Sequence, residues 1–149
     1  MFMNKKGVFL GLDLGEKTLG VAISEFGIIA YNLKTIYFAA HKYEELLKPL
    51  TKIIDDFGVK IIVLGCPKHM NNDFGIKARI SLDFKKKIVF LFDFIKVILW
   101  DERLSTRQAL QVLKKNKNKN KKRMKLKDEI SAVIILQSFL NYCQNNYLA

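Results

Sequence analysis

The chain has 149 residues, half of them hydrophobic, which is enough for one domain with a buried core. It carries 26 lysines and arginines against 14 aspartates and glutamates, two distant cysteines, and no apolar run near the ~20 residues of a membrane-spanning helix. These features argue against disulfides, a zinc site and membrane insertion, so we expect a single cytoplasmic domain over residues 1–149.

The first part of the chain predicts three strands and a helix. The segments "KGVFLGLDLG" and "LGVAIS" predict two strands joined by a tight hairpin at residues 15–18, and a third strand is expected over 28–38. The segment "KYEELLKPLTKIIDDFGV" has helical spacing and predicts a helix that ends at Gly58. Pro49 should either kink this helix or split it in two.

The second part alternates strands and helices. "KIIVLGCP" predicts a buried strand followed by the loop "HMNNDFG", and residues 76–92 predict a second helix. "FIKVILW" predicts a strand ending at Asp101, "STRQALQVLKK" a third helix, and a last helix is expected to start near Asp128. The order predicts an α/β domain with a mixed five-stranded sheet flanked by helices on both faces.

Much of the positive charge lies in one tract. Residues 114–127, "KKNKNKNKKRMKLK", hold nine cations and no acid, which leaves 17 cations against 14 acids elsewhere. We predict a basic, flexible loop, which is either a solvated segment or an arm that contacts phosphates. The candidate nucleic-acid contacts in it are Lys114, Lys115, Lys117, Lys119, Lys121, Lys122 and Arg123.

Four acids stand at predicted element ends. Asp13 lies in an apolar strand, Asp101 and Glu102 follow the last strand, and Asp128 opens the final helix. Strand ends of α/β sheets are where distant residues converge on a ligand. Clustered carboxylates suit Mg²⁺ or Mn²⁺, and two such ions can support phosphodiester hydrolysis. Each acid has a plainer role open to it, such as a helix N-cap for Asp128.

Four segments in order resemble the conserved blocks of one family: "GLDLGEKTLGVAIS", "IIVLGCPKHMN", "DERLSTRQA" and "KDEISAVIILQSFL". The sequence resembles the YqgF (RuvX-like) family, RNase H-like proteins described as Holliday junction resolvases and as pre-16S rRNA nucleases. The resemblance implies an RNase H-like fold and assigns catalysis and metal binding to Asp13, Glu102 and Asp128, with Asp101 assisting. The substrate contacts expected outside the basic tract are Lys17, Thr18, Arg103, Ser105 and Thr106.

The function we expect is a metal-dependent nuclease, a hydrolase of the two-metal-ion type. The resemblance favours a pre-rRNA substrate, with cleavage at the 5′ end of the 16S rRNA precursor and a role in ribosome biogenesis on precursor particles. A monomer or a weak homodimer is expected. Resolution of a four-way DNA junction remains the alternative and requires a dimer; a non-catalytic nucleic-acid-binding module is the second alternative, and an actin-like ATPase hairpin is the least favoured.

Overall fold

The computed structural model describes residues 7–67, 72–102 and 120–148, with side chains described outside 72–74, 120–129 and 147–148. One sheet has the strand order β3-β2-β1-β4-β5. The pairs β1–β2 and β2–β3 are antiparallel, whereas β1–β4 and β4–β5 are parallel. The predicted mixed five-stranded sheet is therefore confirmed. Its strands are β1 (Val8–Leu14), β2 (Thr18–Ser24), β3 (Tyr31–Tyr37), β4 (Val59–Cys66) and β5 (Lys96–Asp101).

Pro49 determines where the first helical segment divides. A 3-10 helix spans Tyr43–Leu46 and α1 follows at Leu47–Phe57, so Pro49 lies in the first turn of α1. The amide that proline lacks would have had no partner within the helix at this position. Gly58 ends α1 in the left-handed conformation with φ 65°, as the sequence predicts.

The other two described helices, α2 (Asn72–Leu91) and α3 (Asn120–Leu148), start earlier than predicted. The loop prediction for "HMNNDFG" is wrong from Asn72 onward, since short polar residues are tolerated in a first helical turn. Neither helix has both the length and the hydrophobicity for a membrane span within the described residues.

The start of α3 corrects two predictions. The expected loop over 114–127 is wrong for residues 120–127, which are helical, and Asp128 lies in the third turn of α3 instead of at its N-terminus. After Asn120 the sequence "KKRMKLK" contains only residues that favour helix, which explains the early start. The remaining tract, 114–119, and the predicted helix at 105–115 lie outside the described residues.

Helices cover both faces of the sheet, as predicted. On one face α1 and α2 bury their apolar sides against β1 and β4. On the other face α3 packs against the same two strands and β2. The fully buried side chains on the α1 and α2 face include Leu10, Leu12, Leu50, Ile62, Leu64, Phe84 and Ile88, and those on the α3 face include Val63, Ala132 and Leu136.

The approach of α3 to the sheet depends on Gly11. A Cβ atom built on Gly11 would lie 2.6 Å from the Cβ of Leu136 and 2.8 Å from the carbonyl oxygen of Ala132. The side chain of Gln137 also ties α3 to the chain before β3, because its Oε1 accepts the Ala30 amide at 2.8 Å and its Nε2 donates to the Ile28 carbonyl at 3.0 Å. Helix and sheet are therefore held at a distance that leaves no room for a methyl group.

We expect Gly11→Ala to lower the free energy of unfolding by about 1–3 kcal/mol, because the added methyl meets helix backbone that cannot rotate away. Urea denaturation checks this value. The matched control is Gly75→Ala in α2, where an added Cβ has nothing within 4 Å. That control should raise stability by about 0.5–1 kcal/mol, since alanine favours helix over glycine. Equal effects of the two substitutions would contradict the packing argument.

Candidate active site at the strand ends

Asp13 lies near the end of β1 with a glycine on each side of it in the sheet. It pairs directly with Gly20 of β2, and the parallel register of Leu12 with Leu64 continues to place Gly65 of β4 next to it. Asp13 is half-buried. Strand alternation puts it on the same face as Gly11, which is the face that α3 covers. The neighbouring positions on this face therefore contribute no side chain.

Glu102 reaches the same place from the last strand. β5 ends at Asp101, which pairs with Cys66, and the Glu102 amide donates to the Cys66 carbonyl at 3.1 Å. The Glu102 side chain lies over Gly65: its Oε1 is 2.8 Å and its Cγ 3.0 Å from where a Cβ of Gly65 would stand. Neighbouring strands are about 4.8 Å apart, so the carboxylate lies on the α3 face about one strand from Asp13.

Trp100 fixes the end of β5 from which Glu102 extends. Its indole Nε1 donates to the Ser138 hydroxyl of α3 at 3.1 Å, and its ring meets the Phe139 ring edge-on at 5.3 Å between centroids. A hydrogen bond together with an aromatic contact restrains both the depth and the rotation of the indole. The strand that carries Glu102 is therefore attached to the helix that covers the site.

The backbone of α3 runs antiparallel to β1. Phe139 contacts Phe9 with ring centroids 6.4 Å apart, whereas Ala132, two turns earlier, lies beside Gly11. Asp128 precedes Ala132 by one further turn, so its backbone position lies nearer the end of the sheet that bears Asp13. The side chain of Asp128 is outside the described residues.

The other predicted site residues are distributed differently. Asp101 is half-buried and, as the residue after Trp100 in β5, lies on the opposite face of the sheet from Trp100. Lys17 is exposed at the tip of the β1–β2 hairpin, and Thr18 beside it is half-buried. Arg103, Ser105, Thr106, Lys114, Lys115, Lys117 and Lys119 lie outside the described residues, as do the side chains of Lys121, Lys122 and Arg123.

Gly65 is a site residue that the sequence prediction missed. It lies beside the acid pair, which consists of Asp13 and Glu102. Gly65 determines whether Glu102 can extend toward Asp13, because a Cβ there would also stand 2.6 Å from the Cδ1 of Ile135 in α3. A glycine inside an apolar strand such as "KIIVLGCP" is itself a signal of a close approach.

Among the described side chains, no group of three histidines, cysteines or acids forms a metal-binding cluster.

Solved structures with the same fold include a RuvC protein and a Holliday junction resolvase. Thermus thermophilus RuvC in complex with a Holliday junction substrate matches with a TM-score of 0.55 at 13% identity, over 87% of this chain and 91% of that one. The yeast mitochondrial Holliday junction resolvase matches with a TM-score of 0.54 at 8% identity, over 94% and 82%. These likenesses confirm the RNase H-like fold predicted from the sequence.

Relatives with much higher identity carry the name "Putative pre-16S rRNA nuclease". One from Onion yellows phytoplasma is 64% identical over 133 residues, covering 89% of this chain and 88% of the relative. One from Geobacillus kaustophilus is 47% identical over 133 residues, covering 89% and 96%. The family model described as RuvX, Holliday junction resolvase, matches residues 7–142. The chain therefore belongs to the RuvX (YqgF) family of nucleases with an RNase H-like fold.

Proposed function

We propose that this protein is a metal-dependent nuclease that processes the 5′ end of the 16S rRNA precursor, with Asp13, Glu102 and Asp128 as its catalytic acids. The observation that supports the proposal most directly is the Glu102 carboxylate lying over Gly65, beside the strand position of Asp13. The two acids are 89 positions apart in the chain, and the sheet brings them to neighbouring strands on one face.

The donor set fits a hard divalent cation. Asp13 and Glu102 are both half-buried, so their two negative charges on one face favour compensation by a positive charge or a proton, and a metal ion would supply the former. Carboxylate oxygens are the ligands that Mg²⁺ and Mn²⁺ prefer, and Asp128 would complete the set. When bound, such an ion supplies Lewis-acid stabilisation of the charge that develops on a phosphodiester during hydrolysis.

The surrounding residues hold and admit the substrate. Gly20 and Gly65 add no side chain on either side of Asp13, so the Glu102 carboxylate can occupy the place over Gly65 next to it. Gly15 keeps the adjacent hairpin tight, with its amide donating to the Thr18 carbonyl at 2.8 Å. Lys17 at the hairpin tip and the cations of 114–127 would neutralise phosphates and orient the strand without reading its sequence.

The substrate proposal follows the relatives with high identity. The protein that is 64% identical over most of both chains is named for pre-16S rRNA, which favours RNA processing on ribosomal precursor particles in the cytoplasm. The family description favours a second candidate, a four-way DNA junction. Symmetric junction cleavage needs two active sites related by a twofold axis, whereas trimming one end of an RNA needs a single site.

We expect Asp13→Asn and Glu102→Gln each to lower cleavage of a pre-16S fragment by at least about 100-fold while the fold stays intact, because each removes a charge that the reaction needs. Gel-based cleavage with Mg²⁺, Mn²⁺ or EDTA, together with circular dichroism, measures both quantities. Asp93→Asn, an exposed acid between α2 and β5, is the matched control and should retain activity.

Each outcome of that experiment has a definite meaning. EDTA should abolish cleavage, and excess Mg²⁺ should restore it. Undiminished cleavage by Asp13→Asn would contradict the acid site. If the wild-type chain cut only a synthetic four-way junction, the RNA proposal would be wrong and the DNA alternative correct.

Gly65→Ala tests whether the gap over β4 positions Glu102. The new methyl would displace the Glu102 carboxylate, and a misplacement of about 1 Å can cost on the order of 100-fold in rate. We therefore expect kcat to fall about 10- to 100-fold with a smaller change in KM. In a Glu102→Gln background the same substitution should cause little further loss, because the group that it displaces is already inactive. Additive losses would argue against a positioning role.

The basic tract is tested through salt dependence. Replacing Lys114, Lys115 and Lys117 with glutamine should reduce the slope of log K against log salt by up to about 2 to 3, since each phosphate contact contributes about 0.7 to 0.9. The matched control replaces Lys85, Lys86 and Lys87 of α2, on the far face of the sheet. Equal slopes for both variants and the wild type would make the tract a solvated segment only.

A further inference from the structure

Tyr37 is a large aromatic side chain exposed on the same face of the sheet as Asp13. It ends the edge strand β3 and is 71% exposed. Its direct partner is Thr18 of β2, which lies two residues from Gly20, the partner of Asp13. Paired residues of antiparallel strands point to the same face, and residues two apart on a strand do so as well. Tyr37 and Asp13 therefore share the α3 face.

The surface between Tyr37 and Asp13 is lined by small residues. Gly20 lies directly beside Asp13, Thr35 lies beside Gly20, and Thr18 lies beside Tyr37. The two end positions are two strand spacings apart across the sheet and two residues apart along it, which is about 12 Å. Gly20 is buried, whereas Thr18 and Thr35 are half-buried, so the accessible strip of sheet between the acid and the aromatic ring runs over the two threonines and carries their hydroxyl groups.

The end of β3 is held against the β1–β2 hairpin. The Phe38 amide donates to the Lys17 carbonyl at 2.9 Å, and the His41 amide donates to the Glu16 carbonyl at 3.1 Å. Because Phe38 follows Tyr37 directly, these bonds restrain the backbone that carries the ring and bring it beside Lys17, whose side chain is exposed. An exposed ring on a restrained backbone loses little conformational entropy when a ligand stacks on it.

We propose that Tyr37 is a stacking platform for an unpaired base of the substrate, so that a single-stranded segment crosses β2 and β3 on its way to or from the acid pair. This proposal rests on the proposed nuclease function. A span of about 12 Å corresponds to roughly two to four nucleotides. The hydroxyl groups of Thr18 and Thr35 can donate hydrogen bonds to the sugar-phosphate backbone along the strip, and Lys17 can neutralise a phosphate next to the stacked base.

The chemistry of the strip favours an unpaired nucleotide over a protein partner. Tyr37 is one aromatic ring among threonines, a glycine and a lysine, whereas a stable protein interface needs about 800 Å² on each side with an apolar centre. A duplex hides the faces of its bases by internal stacking, so a tyrosine can stack only on a base outside the duplex. The platform therefore predicts a preference for substrates with a single-stranded segment beside the cleavage site.

The experiment compares two tyrosines of the same strand. Tyr31 begins β3 and is 61% exposed, but it pairs with Ile23 and lies on the opposite face, the one covered by α1 and α2. Tyr37→Ala should weaken binding and lower kcat/KM for an RNA stem with a single-stranded tail by roughly 5- to 100-fold. Tyr37→Phe should retain most of both, and Tyr31→Ala should match the wild type. A blunt duplex should bind all four chains equally.

A fluorescent base locates the contact. The adenine analogue 2-aminopurine, moved one nucleotide at a time along the tail, should show a fluorescence change at a defined position when bound to the full chain carrying Asp13→Asn, which prevents cleavage. Adding Tyr37→Ala should remove that change. A platform on Tyr37 is disproved if Tyr37→Ala binds and cleaves as Tyr31→Ala does, while Asp13→Asn still abolishes cleavage. A wild-type chain that neither binds nor cleaves RNA would overturn the nuclease proposal as well.

Discussion

The close contact between α3 and the sheet is the constraint on which both the core and the acid pair depend. At Gly11 and at Gly65 alike, an added Cβ would stand 2.6 Å from a side-chain atom of α3, so the helix rests on the strands where they have no side chains. Dispersion attraction weakens steeply when surfaces separate by even 0.5–1 Å. A single methyl at either position would therefore weaken packing along the helix, and at Gly65 it would also move Glu102.

The same contact sets the boundary between core and site. Along the α3 face of β1 the chain presents Phe9, then Gly11, then Asp13, so the surface changes from aromatic to bare backbone to charged within five residues. A carboxylate two residues further into the core would have to be desolvated at a cost of several kcal/mol. At the strand end Asp13 is only half-buried, and the pairing of β1 with β2 restrains its backbone while part of the side chain stays accessible.

Sequence patterns predicted the elements of this fold but not the register between its strands. Periodicity and Gly58 correctly located α1, the five strands and the two-sided packing, because those signals are local. No local sequence signal shows that Glu102 extends over Gly65, because that contact joins residues that are distant in the sequence. The start of α3 was missed because its first turns are lysine-rich, and lysine supports a helix without producing an apolar stripe.

The two exposed tyrosines of β3 also show that sequence patterns do not reveal strand register. Tyr31 and Tyr37 are six residues apart, so simple alternation would place them on one face of the sheet. The register with β2 shifts between Val21 and Ala22, where one extra residue of β3 has no partner, and this irregularity sends the two rings to opposite faces. A one-residue change in register thus decides which tyrosine can reach a ligand near Asp13.

These constraints also explain how a fold can persist at 8–13% identity to the RuvC protein and the yeast resolvase. Strand order and close helix contact restrict residue size at a few positions and leave the rest free to change.

The fold therefore carries little information about substrate, which must be selected by the elements around the acid pair. In the described part of this chain those elements are the hairpin tip at Lys17 and the edge strand with Tyr37. If Tyr37 stacks on a base as proposed, the ring beside Lys17 suits an unpaired strand, and continuous duplex arms offer it no base face, so the edge of the sheet would favour a nucleic acid with a single-stranded end.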